Sequence, residues 1–188
     1  MNQTNRLIIA GSLVSGFYAM TYAATIDELK RSITSSHTRA FAQDNLYTTK
    51  IAQVDLKPWI NTIDAVHVFV NKNNTFPQDK ALTKAMTGLE NASNDLINGL
   101  QITYNTIFSG TTKTVALNEA GRQTRKNDFN ALAARIQLIE TNLKREKYIL
   151  PSKKDAQTLL LFLCPYMQTT AIKARTDIDK EVDIRTKK

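Results

Sequence analysis

The chain has 188 residues, is 42% hydrophobic and has a formal net charge of +8. This length and composition are typical of one globular domain with a sizeable core. Six Gly and four Pro are too few for a disordered chain or a turn-rich all-β fold. Cys164 is the single cysteine, which excludes an intramolecular disulfide, so the fold has to depend on its hydrophobic core.

The first 23 residues differ from the rest of the chain. Arg6 is the one charged side chain among them, an apolar stretch covers residues 7–20, and small residues follow at Thr21 and Ala23. A positively charged start, an apolar run and small residues before the cleavage point are typical of a secretory signal peptide. We therefore predict that residues 1–23 are a cleaved signal peptide.

Export places the mature chain in the periplasm or outside the cell. The lack of disulfides suits a bacterial exported protein better than a small eukaryotic secreted domain. Residues 24–188 are then predicted to form a single helical-bundle domain. An uncleaved N-terminal membrane anchor is the alternative, because residues 7–24 just reach the length of a bilayer span.

From Thr25 onward, apolar residues recur with the period of an α-helix. Thr25 is the predicted N-cap, and Asp27 and Glu28 follow in the first turn, where the helix dipole favours acids. The apolar pattern predicts that this helix continues to the Pro58 break. Pro58 suits the first turn of a second helix, in which Trp59 is predicted to be a core or rim residue.

A third helix is predicted to start after the N-cap Thr75, with Pro77 as an early helical residue, and to end at Gly110. A fourth is predicted over residues 115–148. Helices of about 30 residues favour an all-α fold, an elongated antiparallel bundle of four to five helices with coiled-coil-like packing.

The last helix is predicted to open with a capping box at residues 152–155. Its segment 159–167 is apolar around the whole circumference, which predicts burial inside the bundle. Cys164 lies in this segment and is predicted to be a buried structural thiol. Pro165 is predicted to kink the helix.

The positive charge is concentrated in the second half of the chain. One group surrounds the turn between the last two helices and contains Lys144, Arg145, Lys147, Lys153 and Lys154, with Tyr148 among them. A second group, Arg185, Lys187 and Lys188, ends the chain. A solvated surface that complements the helix dipole is the leading interpretation of the first group. Contact with anionic lipid or an acidic partner is the alternative, and export disfavours nucleic acid.

The sequence contains few residue patterns that are typical of catalytic or metal-binding sites. His37 and His67 lie on different predicted helices, and His67 is predicted to be partly buried, with Asp64 in hydrogen-bonding reach. The alternating acids of residues 177–183 lack the glycine and the final glutamate of a calcium loop, which favours a charged helical turn. No catalytic residue, metal ligand or cofactor site is predicted.

These patterns favour an exported, non-enzymatic binding or scaffolding protein of the bacterial envelope or secretome. Its partner is expected to be a protein that the sequence does not identify, bound through a helix face. A membrane-surface protein that uses the basic turn and the C-terminal tail to contact anionic lipid is the first alternative. An enzyme or cofactor carrier built in the bundle core is the second.

Overall fold

The computed structural model describes residues 24–75, 77–108 and 119–180. Every regular element in these ranges is helical, and five α-helices pack against one another. They are α1 (Ile26–Phe41), α2 (Lys57–Asn73), α3 (Lys80–Thr103), α4 (Glu119–Arg145) and α5 (Pro151–Asp177). The prediction of an all-α fold is confirmed. The predicted signal peptide, residues 1–23, lies outside the described residues.

The start of α1 matches the sequence prediction. Thr25 is the N-cap, and its hydroxyl accepts a hydrogen bond from the backbone N–H of Glu28 at 3.3 Å. The Glu28 carboxylate accepts in return from the backbone N–H of Thr25 at 2.7 Å. This reciprocal pair satisfies two backbone donors that the first turn would otherwise leave free.

The predicted continuation of α1 to the Pro58 break is wrong, because the helix ends at Phe41. A segment of turns follows, and then a short 3-10 helix at Ile51–Gln53. The Asn45 side chain accepts a hydrogen bond from the backbone N–H of Tyr47 at 2.8 Å, a local bond that competes with helical pairing. Tyr47 and Ile51 are nonetheless buried, so their apolar spacing reflects a core-facing loop rather than a helix.

The predicted caps of α3 and α5 are also wrong. Asp79, not Thr75, caps α3, and its carboxylate accepts hydrogen bonds from the backbone N–H groups of Ala81 and Leu82, the second and third residues of the helix. Helix α5 begins at Pro151 after Leu150, without the capping box predicted at residues 152–155. Pro at the first helical position leaves no backbone N–H to be capped there. A π-helical turn, Tyr104–Phe108, extends α3, and Gly110 lies outside the described residues.

The core runs along α5, which contacts each of the other four α-helices. Its fully buried side chains include Leu159, Leu160, Leu163, Cys164 and Met167. The prediction that segment 159–167 is buried on every side is only partly confirmed. Leu161, Phe162 and Tyr166 are half-buried, and Pro165 is exposed.

The half-buried face of α5 lies against α1. The Tyr166 hydroxyl hydrogen-bonds with the Thr34 hydroxyl at 2.8 Å, and the Lys30 ammonium lies 5.7 Å from the centre of the Phe162 ring. The aromatic side of α5 therefore contacts polar residues of α1 rather than the apolar core. For this reason one face of the apolar segment is only half-buried.

Helices α3 and α4 approach closely through glycine. A Cβ atom at Gly99 would lie 3.1 Å from a ring carbon of Phe129, a side chain that is buried. A Cβ atom at Gly88 would lie 2.8 Å from the end of Ile139. The absence of a side chain at these two positions therefore sets the spacing between the two helices.

Candidate functional site

The turn between α4 and α5, residues 144–154, is called here the α4–α5 corner. Helix α4 ends at Arg145, and residues 146–150 are not helical. The Gln157 side chain donates hydrogen bonds to the carbonyls of Leu143 at 2.5 Å and Glu146 at 2.9 Å. These bonds satisfy acceptors that the end of a helix leaves unpaired, so the path of the corner is fixed.

Two side chains tie the corner to the turn between α2 and α3. The Lys153 ammonium donates to the carbonyl of Pro77 at 2.6 Å and lies 4.0 Å from the Asp79 carboxylate. The Tyr148 hydroxyl lies 3.4 Å from the same carboxylate. Burial, and then the negative charges of Asp79 and Glu146, raise the pKa of Tyr148, so its hydroxyl keeps its proton and donates.

The placement of Lys153 corrects the expectation that all five cations of the turn are exposed. Lys153 is 8% exposed, and its charge faces into the protein. It holds α5 against the α2–α3 turn and does not belong to the external surface. The sequence alone could not separate it from Lys154, its exposed neighbour, because both follow the same helix start.

The other four cations of the corner, Lys144, Arg145, Lys147 and Lys154, are exposed. Lys144 forms an ion pair with Glu140 at 2.7 Å on the same helix. Glu146 and Asp155 are the exposed acids beside them. Four of the five cations singled out in the sequence are therefore exposed at the corner, and Lys153 is not.

Sequence reasoning missed two apolar residues at the tip of the corner. Ile149 is 98% exposed, and Leu150 is 46% exposed. The signal was visible, because two large apolar residues stand between Tyr148 and Pro151 in a stretch that breaks a helix. The corner thus presents an isoleucine almost wholly to solvent, next to exposed cations.

His37 is packed inside a ring of aromatic side chains. Its Nε2 lies 2.6 Å from the Thr170 hydroxyl, and its ring contacts Phe41, Trp59 and Tyr166 at centroid distances of 5.1–5.6 Å. Burial lowers the pKa of His37, and a backbone hydrogen bond at Tyr166 offsets this only in part. The imidazole is therefore neutral near pH 7, and its role is a half-buried packing contact between α1, α2 and α5.

The other histidine has a different partner from the one predicted. His67 lies against Glu90 of α3 through its Nδ1 atom, and not against Asp64 of its own helix. The pair links α2 to α3. Trp59 is fully buried, as predicted, and its indole N–H donates to the Ser93 hydroxyl at 2.9 Å, which adds a second link between these helices.

The acidic run at the end of α5 has a structural role within the described residues. Asp177 is fully buried, and its carboxylate lies 2.9 Å from the Lys173 ammonium and 2.7 Å from that of Lys180. It also accepts from the backbone N–H of Leu46 at 3.0 Å. Asp179 pairs with Lys126 of α4 at 2.6 Å.

Residues 181–188 lie outside the described residues, and the C-terminal cations Arg185, Lys187 and Lys188 lie with them.

An open cleft of about 340 Å³ lies between α3 and α4, with Phe129 in its lining. Asp95 and Arg135 also line it and pair with each other at 2.5 Å. Their charges are directed at one another, so the cleft offers a ligand no unpaired charge from this pair.

Cys164 is fully buried, and burial raises the pKa of its thiol to about 12. The negative charge of Glu140 adds to this effect. A thiol with such a pKa holds almost no thiolate at neutral pH, and the thiolate is the reactive form. This placement confirms the prediction of a buried thiol.

We expect native Cys164 to react with a bulky disulfide reagent at pH 8 at least about a thousandfold more slowly than the same thiol in denaturant. Absorbance of the released chromophore, followed with and without guanidinium, measures both rates. Rapid labelling of the folded protein would contradict the burial of Cys164.

No group of three or more His, Cys, Asp or Glu side chains within residues 24–75, 77–108 and 119–180 is arranged to hold a metal ion. In the same ranges, none of the helices combines the length and the apolar character needed to span a bilayer. Comparison with protein-family models, curated proteins and solved structures found no match to this chain.

Proposed function

We propose that this chain is an exported, non-enzymatic binding or scaffolding protein of the bacterial envelope or secretome, and that the α4–α5 corner is its contact surface. The observation that carries the proposal is the exposure of Ile149 and Leu150 beside Arg145, Lys147 and Lys154. Apolar residues at the centre of a polar rim are the usual arrangement of a recognition surface.

The other exposed large apolar residues of the described part stand differently. Ile60, Val68, Ile102, Leu138 and Ile172 are distributed over four helices, each on a regular helical surface. Single exposed apolar side chains are normal on soluble proteins. Two consecutive ones at the tip of an anchored turn are not, and this contrast selects the corner over the helix faces.

We also infer that the five helices form an antiparallel bundle. Along α3 and α4, Asp95 pairs with Arg135, while Gly99, further along α3, meets Phe129, which is earlier in α4. Contacts whose residue numbers run in opposite directions support antiparallel neighbours. In such a bundle the α4–α5 corner and the α2–α3 turn share one end, and Lys153 joins them there.

Export is the premise of this proposal, and it predicts the first residue of the mature protein. Expressed in a Gram-negative bacterium, the full chain should yield a periplasmic form that begins at Ala24, next to the Thr25 cap of α1. Intact mass spectrometry of the periplasmic fraction measures this. A soluble cytoplasmic form that retains Met1 would contradict the proposed export.

The contact surface can be tested by sedimentation with bacterial envelopes. We expect the double variant Ile149→Ser with Leu150→Ser to bind envelopes at least about tenfold more weakly than the wild-type protein, because the variant removes the apolar tip. Ile172→Ser, at an isoleucine that is 45% exposed on α5, is the matched control and should bind like wild type. Equal binding of all three proteins would contradict the role of the corner.

A further inference from the structure

The corner separates inward-facing side chains from outward-facing ones over very few residues. Tyr148 is half-buried and Lys153 is buried, and both are engaged by the α2–α3 turn. Ile149, between them, is 98% exposed. The contacts of Tyr148 and Lys153 with the α2–α3 turn thus orient this side of the corner inward and leave Ile149 in solvent.

The exposed charged side chains around Ile149 include more cations than acids. Arg145, Lys147 and Lys154 are exposed on the corner itself, and none of them has an ion pair within the described residues. Lys80, at the start of α3, is also exposed and directly follows Asp79, the residue that Tyr148 contacts. The α2–α3 turn, which Lys153 and Tyr148 contact, therefore carries one further exposed cation.

An occupant of this surface has to be anionic and has to accept a protruding isoleucine. A bilayer rich in anionic lipid meets both requirements without a preformed pocket, because cations lie at the headgroups while an apolar side chain enters the boundary of the acyl region. Glu146 and Asp155 are exposed as well, so the attraction depends on the excess of cations and on the apolar tip together.

We infer that the α4–α5 corner docks on an anionic lipid bilayer, with Ile149 and Leu150 at the boundary of the acyl region and Arg145, Lys147 and Lys154 against the headgroups. This inference rests on the proposed function and names the partner of the same surface. Each cation near an anionic membrane contributes about a fivefold gain in affinity, so three together contribute about a hundredfold.

Sedimentation with protein-free vesicles tests the inference. The purified full chain, as recovered from the expressing bacterium, is mixed with vesicles of phosphatidylcholine alone or of equal phosphatidylcholine and phosphatidylglycerol. We expect binding to the anionic vesicles only, and a steep loss as salt is raised from about 0.1 to 1 M, since the Debye length falls from about 10 to 3 Å. The triple variant Arg145→Gln, Lys147→Gln, Lys154→Gln should bind about a hundredfold more weakly.

A matched triple variant controls for net charge. Lys50→Gln, Lys57→Gln, Arg175→Gln removes the same number of exposed cations, and Arg175 lies 24 residues along α5 from Pro151, about 36 Å away. It should lose less than about threefold in affinity. An equal loss of affinity in the two triple variants would show that overall charge alone causes the attraction, and it would overturn the inference.

Insertion of the tip has its own readout. In Ile149→Trp, the fluorescence of the new indole should shift to the blue on anionic vesicles, while Ile172→Trp should not shift. The native Trp59 is fully buried and supplies a constant background. An unchanged Ile149→Trp spectrum on vesicles that bind the protein would overturn insertion of the tip.

Experiments can separate the role of the corner as a contact surface from the identity of its partner as anionic lipid. If corner variants lose binding to whole envelopes but the wild type ignores protein-free anionic vesicles, the contact surface stands and the lipid partner is wrong. If neither envelopes nor vesicles distinguish the corner variants from their controls, the proposed function is wrong as well. A retained signal peptide would bind both vesicle types and would not respond to the corner substitutions.

Discussion

Replacing Leu163 with alanine is expected to lower the free energy of unfolding by about 3–5 kcal/mol. The side chain is fully buried on α5, the helix that contacts every other α-helix. The cost combines the lost transfer free energy of the removed atoms with the cavity that they leave. Denaturant titration of the purified protein, with an unchanged m-value, measures the difference.

Leu161→Ala is the matched control for Leu163→Ala. It removes the same atoms two residues earlier on the same helix, from a position that is only half-buried. We expect a loss of about 1–2 kcal/mol, because neighbouring water fills part of the space. Equal losses at the two positions, or a loss below about 0.5 kcal/mol for Leu163→Ala, would contradict the placement of the core along α5.

Replacing Asp177 with asparagine is expected to lower the free energy of unfolding by about 2–3 kcal/mol at pH 7, the second-largest effect of the substitutions considered. The substitution keeps the shape of the side chain but removes the charge that holds Lys173 and Lys180, and it weakens the acceptor for the backbone N–H of Leu46. Hydrogen bonds to a charged group are worth more than neutral ones. Asp179→Asn, at an exposed carboxylate that pairs with the half-buried Lys126, should cost less than about 1 kcal/mol.

The same substitution predicts a pH dependence. Burial acts to raise the pKa of Asp177, but hydrogen bonds from Lys180, Lys173 and Leu46 outweigh it and lower the pKa below 3.8. A carboxyl with a lowered pKa in the folded state stabilises the protein above about pH 4, and this stabilisation is lost as pH falls further. The difference in the free energy of unfolding between wild type and Asp177→Asn should therefore be constant from pH 7 to 5 and shrink below pH 4. A gap that persists undiminished at pH 2 would contradict the charged state of Asp177.

The features that the sequence predicted correctly depend on neighbours within a few residues. The Thr25 cap needs only Glu28, three positions later, and the burial of Cys164 follows from the apolar segment around it. The Asp79 cap was missed although it is just as local, because Thr75 and Pro77 offered a competing start. Choosing between two nearby caps depends on how the preceding loop packs.

What the sequence did not predict depends on contacts between distant segments. The premature end of α1 is stabilised by Asp177, which accepts from Leu46 across 131 residues, and the partner of His67 is on another helix. The division of the basic turn into a buried Lys153 and an exposed Lys154 follows from the position of Pro77. None of these can be deduced from periodicity, because each requires the mutual placement of two elements.

The bonds between the segment after α1 and the end of α5 bear on when the protein can fold. The Tyr47 hydroxyl donates to the carbonyl of Ala174 at 2.9 Å, and Lys173 donates to the carbonyl of Asp44 at 2.6 Å, across 127 and 129 residues. Contacts so distant along the chain form only after both segments are present. A chain that emerges N-terminus first therefore cannot complete its tertiary structure until α5 arrives. If the chain is exported as proposed and crosses the membrane N-terminus first, the segment after α1 gains these bonds only once α5 has crossed as well.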